Sequence, residues 1–340
     1  MVCSQNYPWD NISESFFWCC MSTIWLFIVT VLIWGSTFLV ITFQLGEVAP
    51  AVSVVYRFGI GSLIMFAWSL WRDEQLWIAW RQQPLLILQG LLNFGISYLC
   101  TYYAEGTIVS AMVAVLFSLM VFWNALGARL FFGSRITWHT ICAAALSITG
   151  VGLLFYRALL GAWQPQSGSS AGFVIGLLLA LGATLSASAG NMVAVQVGRT
   201  HGNSVVVTTA WAMLWGMLSV AVWAFVTEQA WHLPTQPAYW LSMLYLALFG
   251  SVIAFTCYFT LINRIGPGKA AYTGVLTPVV SVLLSMQFES YRPGLVGFCG
   301  MVLCLAGVVW AVRGKGRPPP LPAIIEPSPA AINPVTGNHA

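Results

Sequence analysis

Charge is what this sequence has least of. Only 6% of its 340 residues are Asp, Glu, Lys or Arg, while 59% are hydrophobic. Soluble domains carry roughly 25% charge, so water cannot be the main solvent of the chain. The formal net charge of +4 is small, and no basic face is present for nucleic acid. Histidine is scarce as well: His139, His201, His232 and His339 lie at the ends of apolar runs, in loops or in the tail. No Ser/His, Cys/His or paired-carboxylate arrangement shares one layer of the apolar runs, which excludes nucleophilic and acid–base enzymes of the usual kinds. The eight cysteines stand singly in apolar runs apart from the neighbours Cys19 and Cys20. That spacing fits neither a metal site nor a disulfide framework, so no metal and no other cofactor is expected. Residues 1–18 hold no Lys or Arg, and the basic start of a cleavable signal is therefore missing. Residues 1–21 read as a cytoplasmic N-terminal extension, with Met21 as a candidate working start.

Long apolar runs stand in place of charge. A spanning helix needs about 20 mostly apolar residues. Ten runs qualify, at about 22–44, 50–71, 84–104, 107–128, 135–156, 172–197, 203–226, 238–262, 267–288 and 292–312. Gln164 to Ser170 forms a Gly/Ser/Pro-bearing linker. The expected domains are a five-helix repeat over 22–160, the linker over 161–171, a second repeat over 172–312, and a proline-rich cytoplasmic tail over 313–340, expected to be disordered. With the N-terminus inside, the cytoplasmic segments hold Arg72, Arg81, Arg129, Arg135, Arg199, Arg264, Lys269, Arg313, Lys315 and Arg317, leaving only Arg157 and Arg292 outside. This positive-inside bias places both termini in the cytoplasm of an inner (plasma) membrane. Phe94-Gly95 matches Phe249-Gly250, and Tyr103 matches Tyr258, at one offset of 155 residues. Five spans per copy is an odd number, so the second copy inserts upside down, the arrangement that lets one site face either side in turn. The expected fold is all-α: ten transmembrane helices as two inverted five-helix repeats around a central cavity.

Few residues inside the runs could carry function. Arg57 is the one charge within a span; it is either a structural charge, snorkelling outward or pairing with a backbone carbonyl inside, or it meets a solute carboxylate. Every acid falls at a span end, in a loop or in a terminal segment. Glu105 and Glu289 come closest, and both read as solvated charges at helix mouths, so no buried acid is expected to couple transport to protons. Phe94, Tyr98 and Tyr102 recur every four residues and share a helix face, which suits either packing or a wet cavity. Trp34, Ser36 and Thr37 beside Gly35 are similar, with Ser186, Ser188 and Asn191 as counterparts in the sixth run. Pro278 removes an internal hydrogen bond and, with Gly274 one turn earlier, is the expected hinge. Gly172, Gly176, Gly294, Gly297 and Gly300 suit close helix packing. Trp77, Trp80, Trp138, Trp231 and Trp240 suit interface anchoring.

Taken in order, several of these residues form a pattern: Trp34 to Val40 as WGSTFLV, Arg57-Phe58, Gly266-Pro267 with Ala270-Ala271, Leu276 to Val280 as LTPVV, and Phe288-Glu289. The chain resembles the drug/metabolite transporter superfamily, in its EamA-like ten-span branch of amino-acid and metabolite exporters, over about residues 22–312. It departs from that pattern at Met120, where a proline is usual, and at Gly133, near an expected glutamate. The fourth span should therefore be straighter than the ninth. The resemblance implies a cavity lined mainly by spans one, three, four, six, eight and nine. Trp34, Ser36, Tyr98, Tyr102, Ser118, Ser186, Asn191, Tyr258, Tyr272 and Thr277 are expected to border it.

The expected function is export or exchange of a small organic solute such as an amino acid, by alternating access. The expected partners are that solute and the lipid bilayer, with no nucleic acid, and the protein as a monomer or a dimer. One rival is an efflux carrier for polyamines or quaternary ammonium drugs, caged by aromatics; competition by tetraalkylammonium would favour it. A second rival is a non-transporting membrane scaffold or sensor that recruits a partner through the tail. Removing the chain after Arg317 separates them, because a carrier keeps working.

Overall fold

The computed structural model describes residues 22–133, 136–162, 170–200, 202–289, 292 and 294–313. The N-terminal extension with Met21, Arg135, His201, residues 163–169 of the linker and the tail beyond Arg313 lie outside the described residues. The described chain is helical throughout: α1 (Thr23–Thr42), α2 (Pro50–Trp71), α3 (Gln83–Glu105), α4 (Ser110–Phe132), α5 (Trp138–Ala162), α6 (Ser170–Thr200), α7 (Val205–Val226), α8 (Pro237–Ile265), α9 (Thr273–Phe288, after one turn at Pro267–Ala270) and α10 (Leu295–Arg313). Among the described residues, seven of these (α1 to α4 and α6 to α8) are long and apolar enough to cross a bilayer. Shorter apolar helices, Ile141–Leu153 and Leu276–Phe288, lie within α5 and α9.

Local chemistry sets the boundaries. Ser22 caps α1 by accepting from the Trp25 amide, and Ser204 caps α7 by accepting from the Val207 amide, each filling one of the donors left open at a helix start. Pro50 and Pro237 begin α2 and α8, where a missing N–H costs nothing. Gly133 ends α4 with φ of 66°, and Gly266 ends α8 with φ of 83°, both in the left-handed region that favours glycine. The surface is inverted relative to a soluble protein. Leu63, Leu130, Phe131, Phe225 and Leu295 are exposed, as are Trp77, Trp80 and Trp138, while Thr30, Ser53, Ser62, Asn93, Asn124 and Ser251 are buried. Exposed apolar faces around a polar interior make this a multi-pass membrane protein.

The packing repeats itself. Helix α1 packs on α8 and α9, and α6 packs on α3 and α4; α2 packs on α7, α5 on α10, and α4 on α9. Replacing each helix by the one five places along leaves this set of pairs unchanged. Asp73 and Glu228 end α2 and α7 at the same offset of 155 residues, and both hold φ of 52°, a rare conformation for residues other than glycine.

The structure corrects one expectation about the helices. Helix α4 is not the straighter one: it breaks at Ser118 and Leu119 into Ser110–Phe117 and Met120–Phe132. No proline is needed. The Ser118 and Leu119 amides turn to the Val115 and Leu116 carbonyls, three residues back, which tightens the helix locally. The Phe117 carbonyl is then set against Gly274, whose Cβ, if it had one, would lie 3.2 Å away. Helix α9 runs unbroken through Pro278, and its own interruption comes earlier, at Ala271 and Tyr272.

One latch ties the α1–α2 loop to the segment before α8. An oxygen of Glu47 accepts from the Thr235 amide (2.6 Å), the Gln236 amide (3.1 Å) and the Thr235 hydroxyl (3.1 Å), and His232 meets the Glu47 carbonyl. Partial desolvation pushes the Glu47 carboxyl up, but these donors together with His232 hold it below its ordinary value of 4.5. A depressed carboxylate contributes stability above its unfolded value and loses it as pH falls through the folded one. Melting of the detergent-solubilised protein should therefore drop below about pH 4.5, and Glu47→Gln should flatten that part of the profile.

Candidate functional site

Two π-helical turns organise the interior. Gly90–Ile96 widens α3 and Leu246–Ile253 widens α8. They contain Phe94-Gly95 and Phe249-Gly250, the pair matched at the 155-residue offset. A π turn takes in an extra residue and shifts carbonyls out of the regular ladder, and such turns are frequent at functional sites. Here each turn presents a carbonyl to a helix of the opposite half. The Gly250 carbonyl accepts from the Trp34 indole of α1 (3.3 Å), and the Leu92 carbonyl accepts from the Ser186 hydroxyl of α6 (2.7 Å).

The turn in α8 also builds a socket for Arg57. Ser251 donates to the Leu246 carbonyl (3.0 Å) and accepts from Arg57 Nε (3.0 Å). Arg57 Nη1 reaches the Tyr102 hydroxyl (3.5 Å), which donates to Gln44 Oε1 (2.8 Å). The guanidinium carbon lies 4.6 Å from the centre of the Tyr98 ring, in reach of a cation–π attraction. Arg57 is 0% exposed, and its Nη2 has no partner. Gly250 must lack a side chain, because a Cβ there would lie 2.9 Å from Arg57 Nη2 and 2.8 Å from Thr37 Cγ2. This burial excludes outward snorkelling and leaves a buried structural charge or a solute contact.

An aromatic wall continues from the socket. Tyr98 meets Phe58 (4.7 Å between ring centres), Phe58 meets Phe94 (5.1 Å), Phe94 meets Phe255 (4.7 Å), and Trp34 meets both Phe255 (5.1 Å) and Tyr258 (4.7 Å). Tyr258 accepts from the Asn191 amide (3.0 Å), and Ser188 donates to Asn124 Oδ1 (2.6 Å). Tyr98 and Trp34 are half-buried, whereas Tyr102 and Tyr258 are fully buried. A small cleft lined by Gln89, Gly198, Thr208, Thr209 and Asn263 reaches this wall at Phe259. Its lining residues Gly198 and Asn263 adjoin Arg199 and Arg264 in the chain.

Of the residues anticipated from sequence, Trp34, Tyr98, Tyr102, Asn191, Tyr258 and Arg57 come together here. Ser36 bonds instead to Tyr245 of α8, hydroxyl to hydroxyl at 2.6 Å. Ser186 supports the π turn of α3. Thr277 bonds back to the Thr273 carbonyl (2.8 Å), beside the crossing of α9 with Gly35. Ser118 is buried at the break in α4 with no partner for its hydroxyl. Tyr272 stands apart, packed with Val121, Ala143 and Phe27. Gly274 marks the crossing with α4, and Pro278 lies inside α9. Sequence reasoning passed over Gln44, Tyr245, Ser251 and Phe255. Ser251 and Phe255 follow a motif that had been noticed; Gln44 and Tyr245 carried no signal beyond being polar in apolar runs.

Glu105 corrects a second expectation. It is not a solvated charge at a helix mouth: it is 6% exposed, and neither carboxyl oxygen has a hydrogen-bond partner.

Two stretches, residues 21–156 and 174–313, match the model of the EamA-like transporter family. The chain belongs to that family. The two matches fall on the two sets of five helices, so each half of this EamA protein is one family unit. It is 24% identical over 296 residues to the "Uncharacterized inner membrane transporter YedA" of Escherichia coli (strain K12), covering 86% of this chain and 91% of that protein. It is 25% identical over 300 residues to the "Probable amino-acid metabolite efflux pump" of Salmonella typhimurium, covering 85% and 94%. A solved crystal structure shares the fold with a TM-score of 0.66 at 18% identity, covering 85% of this chain and 96% of that one. The EamA protein is thus a membrane transporter, not an enzyme.

Proposed function

We propose that the protein is a ten-span carrier of a small organic solute in the inner (plasma) membrane, with both termini cytoplasmic and its two halves inverted. It works as an exporter or exchanger by alternating access. The observation that carries this reading is the pair of π turns at matched positions, each bonded to a helix of the opposite half, around a wall that holds one buried cation. Five spans per half is odd, so matched packing in one bilayer requires opposite orientations. The partly buried faces of Trp34 and Tyr98, with Asn191 and Tyr258 beside them, suit a partly apolar solute. The free Nη2 of Arg57 suits a carboxylate. Amino acids combine the two, in keeping with the name of the Salmonella relative. The cleft at Phe259 lies beside the basic end of the bundle, which this reading takes as cytoplasmic.

Proteoliposome counterflow with a panel of amino acids tests the reading. Tyr98→Ala and Tyr258→Ala should each lower the rate about tenfold or more, since each ring contributes roughly 1–2 kcal/mol through contact and burial. Expression should stay near normal. Unchanged rates in both variants would remove these rings from the solute path.

A further inference from the structure

The mouth-facing corner between α3 and α4 holds a group the transport reading does not use. Glu105 closes α3 with its carboxyl nine-tenths buried and both oxygens unpartnered. The donors on the turn that follows it are already engaged. The Gly106 amide bonds to the Tyr102 carbonyl, while the amides of Thr107 and Ile108 and the Thr107 hydroxyl all turn to the Ala104 carbonyl. Ser110 at the start of α4 donates to Glu289 Oε2 at the end of α9 (2.7 Å) and sits 3.2 Å from Ser285. Tyr102 gives its proton to Gln44.

The charged and titratable groups around Glu105 can be named by helix. From α2 comes Arg57, attractive but engaged with Ser251 and Tyr102; it forms no ion pair with Glu105 among the described residues. From α9 comes Glu289, which repels it. Tyr98 and Tyr102 share its own helix. Helix α1 offers the neutral Gln44, α4 the neutral Ser110, and α6 packs Gly176 against Thr107.

We propose that Glu105 is a proton-binding residue, and that its proton is held while the ends of α3, α4 and α9 are closed together and released when they part. An ionised carboxylate shut away from water with no donor is expensive, and a like charge beside it makes it more so. Protonated, the same carboxyl is a neutral group that fits the corner. Parting the helix ends wets it and frees the proton. By linkage, a proton bound only in the closed form raises the closed-to-open ratio by up to tenfold per pH unit of acidification. Acid on the Glu105 side of the membrane therefore biases the protein toward the arrangement seen here. This holds whatever the solute.

Nitroxide labels at Val109→Cys and Gln287→Cys, two exposed positions flanking the corner on α4 and α9, read the gap in a cysteine-free background in nanodiscs. Pulsed dipolar spectroscopy from pH 5 to 8 should show a short distance giving way to a longer one as pH rises. Glu105→Gln, neutral at every pH, should stay short throughout. Glu289→Gln, which removes the like charge, should move the conversion to lower pH. A single unchanging distance in the parent, a conversion that persists in Glu105→Gln, or no movement in Glu289→Gln would each overturn the proposal.

Discussion

Replacing Arg57 by methionine should abolish transport while leaving the fold as stable as before. The guanidinium is fully buried, and among the described residues it touches no carboxylate at pairing distance and leaves Nη2 unbonded. A charge near the middle of a span costs about 2.5–3.5 kcal/mol on insertion scales. Exchanging a buried charge for an apolar side chain of similar volume is commonly neutral or stabilising. Stability is thus a poor reason to keep Arg57, and Arg57→Met should melt no lower than the parent in a detergent thermal-shift assay. Its counterflow rate should fall about 100-fold or more, since losing a buried charge-assisted contact costs roughly 2–5 kcal/mol. Arg57→Lys should recover little of it. A point charge on a flexible stem cannot bond Ser251, lie against Tyr98 and present a second N–H in one plane. If Arg57→Met melts well below the parent and still transports, Arg57 is an anchor and the carboxylate role falls.

Gly216→Ala should produce a large loss of stability from a small change. A Cβ at Gly216 would lie 2.5 Å from Phe94 Cβ, 2.8 Å from the Gly90 carbonyl oxygen and 3.2 Å from the Phe94 carbonyl carbon. Two of those atoms are backbone of the π turn in α3, so no rotamer change relieves the contact and α7 must move away from α3. Overpacking of this kind costs about 1–3 kcal/mol, and the displacement spreads to Phe94 and the aromatic wall. Gly182→Ala is the control. Nothing lies within 4 Å of a Cβ there, so the better helix former should be neutral or stabilising by up to about 1 kcal/mol. Thermal melts of the two variants side by side check both statements.

The helices were legible because lipid demands long apolar runs, and most runs anticipated from sequence end within a few residues of the helix found, the fifth falling six short of Ala162. The repeat was legible at Phe94-Gly95 and Phe249-Gly250, although nothing in those two letters says π turn; that geometry comes from how α3 meets α7 and how α8 meets α1. The break in α4 was misjudged because proline is only one way to interrupt a helix. There the interruption is two three-back amide bonds, set against Gly274, which lies more than 150 residues away in sequence. Arg57 stood out as a lone charge, but its partners Ser251 and Gln44 come from other helices, and adjacency of that kind leaves no periodic trace. Glu105 was misread for the same reason. Its place at the end of a run suggested water, and only the arrival of α4 and α9 over that end buries it.

The sidedness of two matched loops tests the central claim most directly. Gln75 follows α2 and Ala230 follows α7, 155 residues apart, and both are exposed. With Gln75→Cys and Ala230→Cys placed singly in a cysteine-free chain, a membrane-impermeant maleimide should label Ala230→Cys in intact spheroplasts and reach Gln75→Cys only after permeabilisation. Labelling of both from the same face would mean that the halves run parallel, and the inverted carrier described here would be wrong.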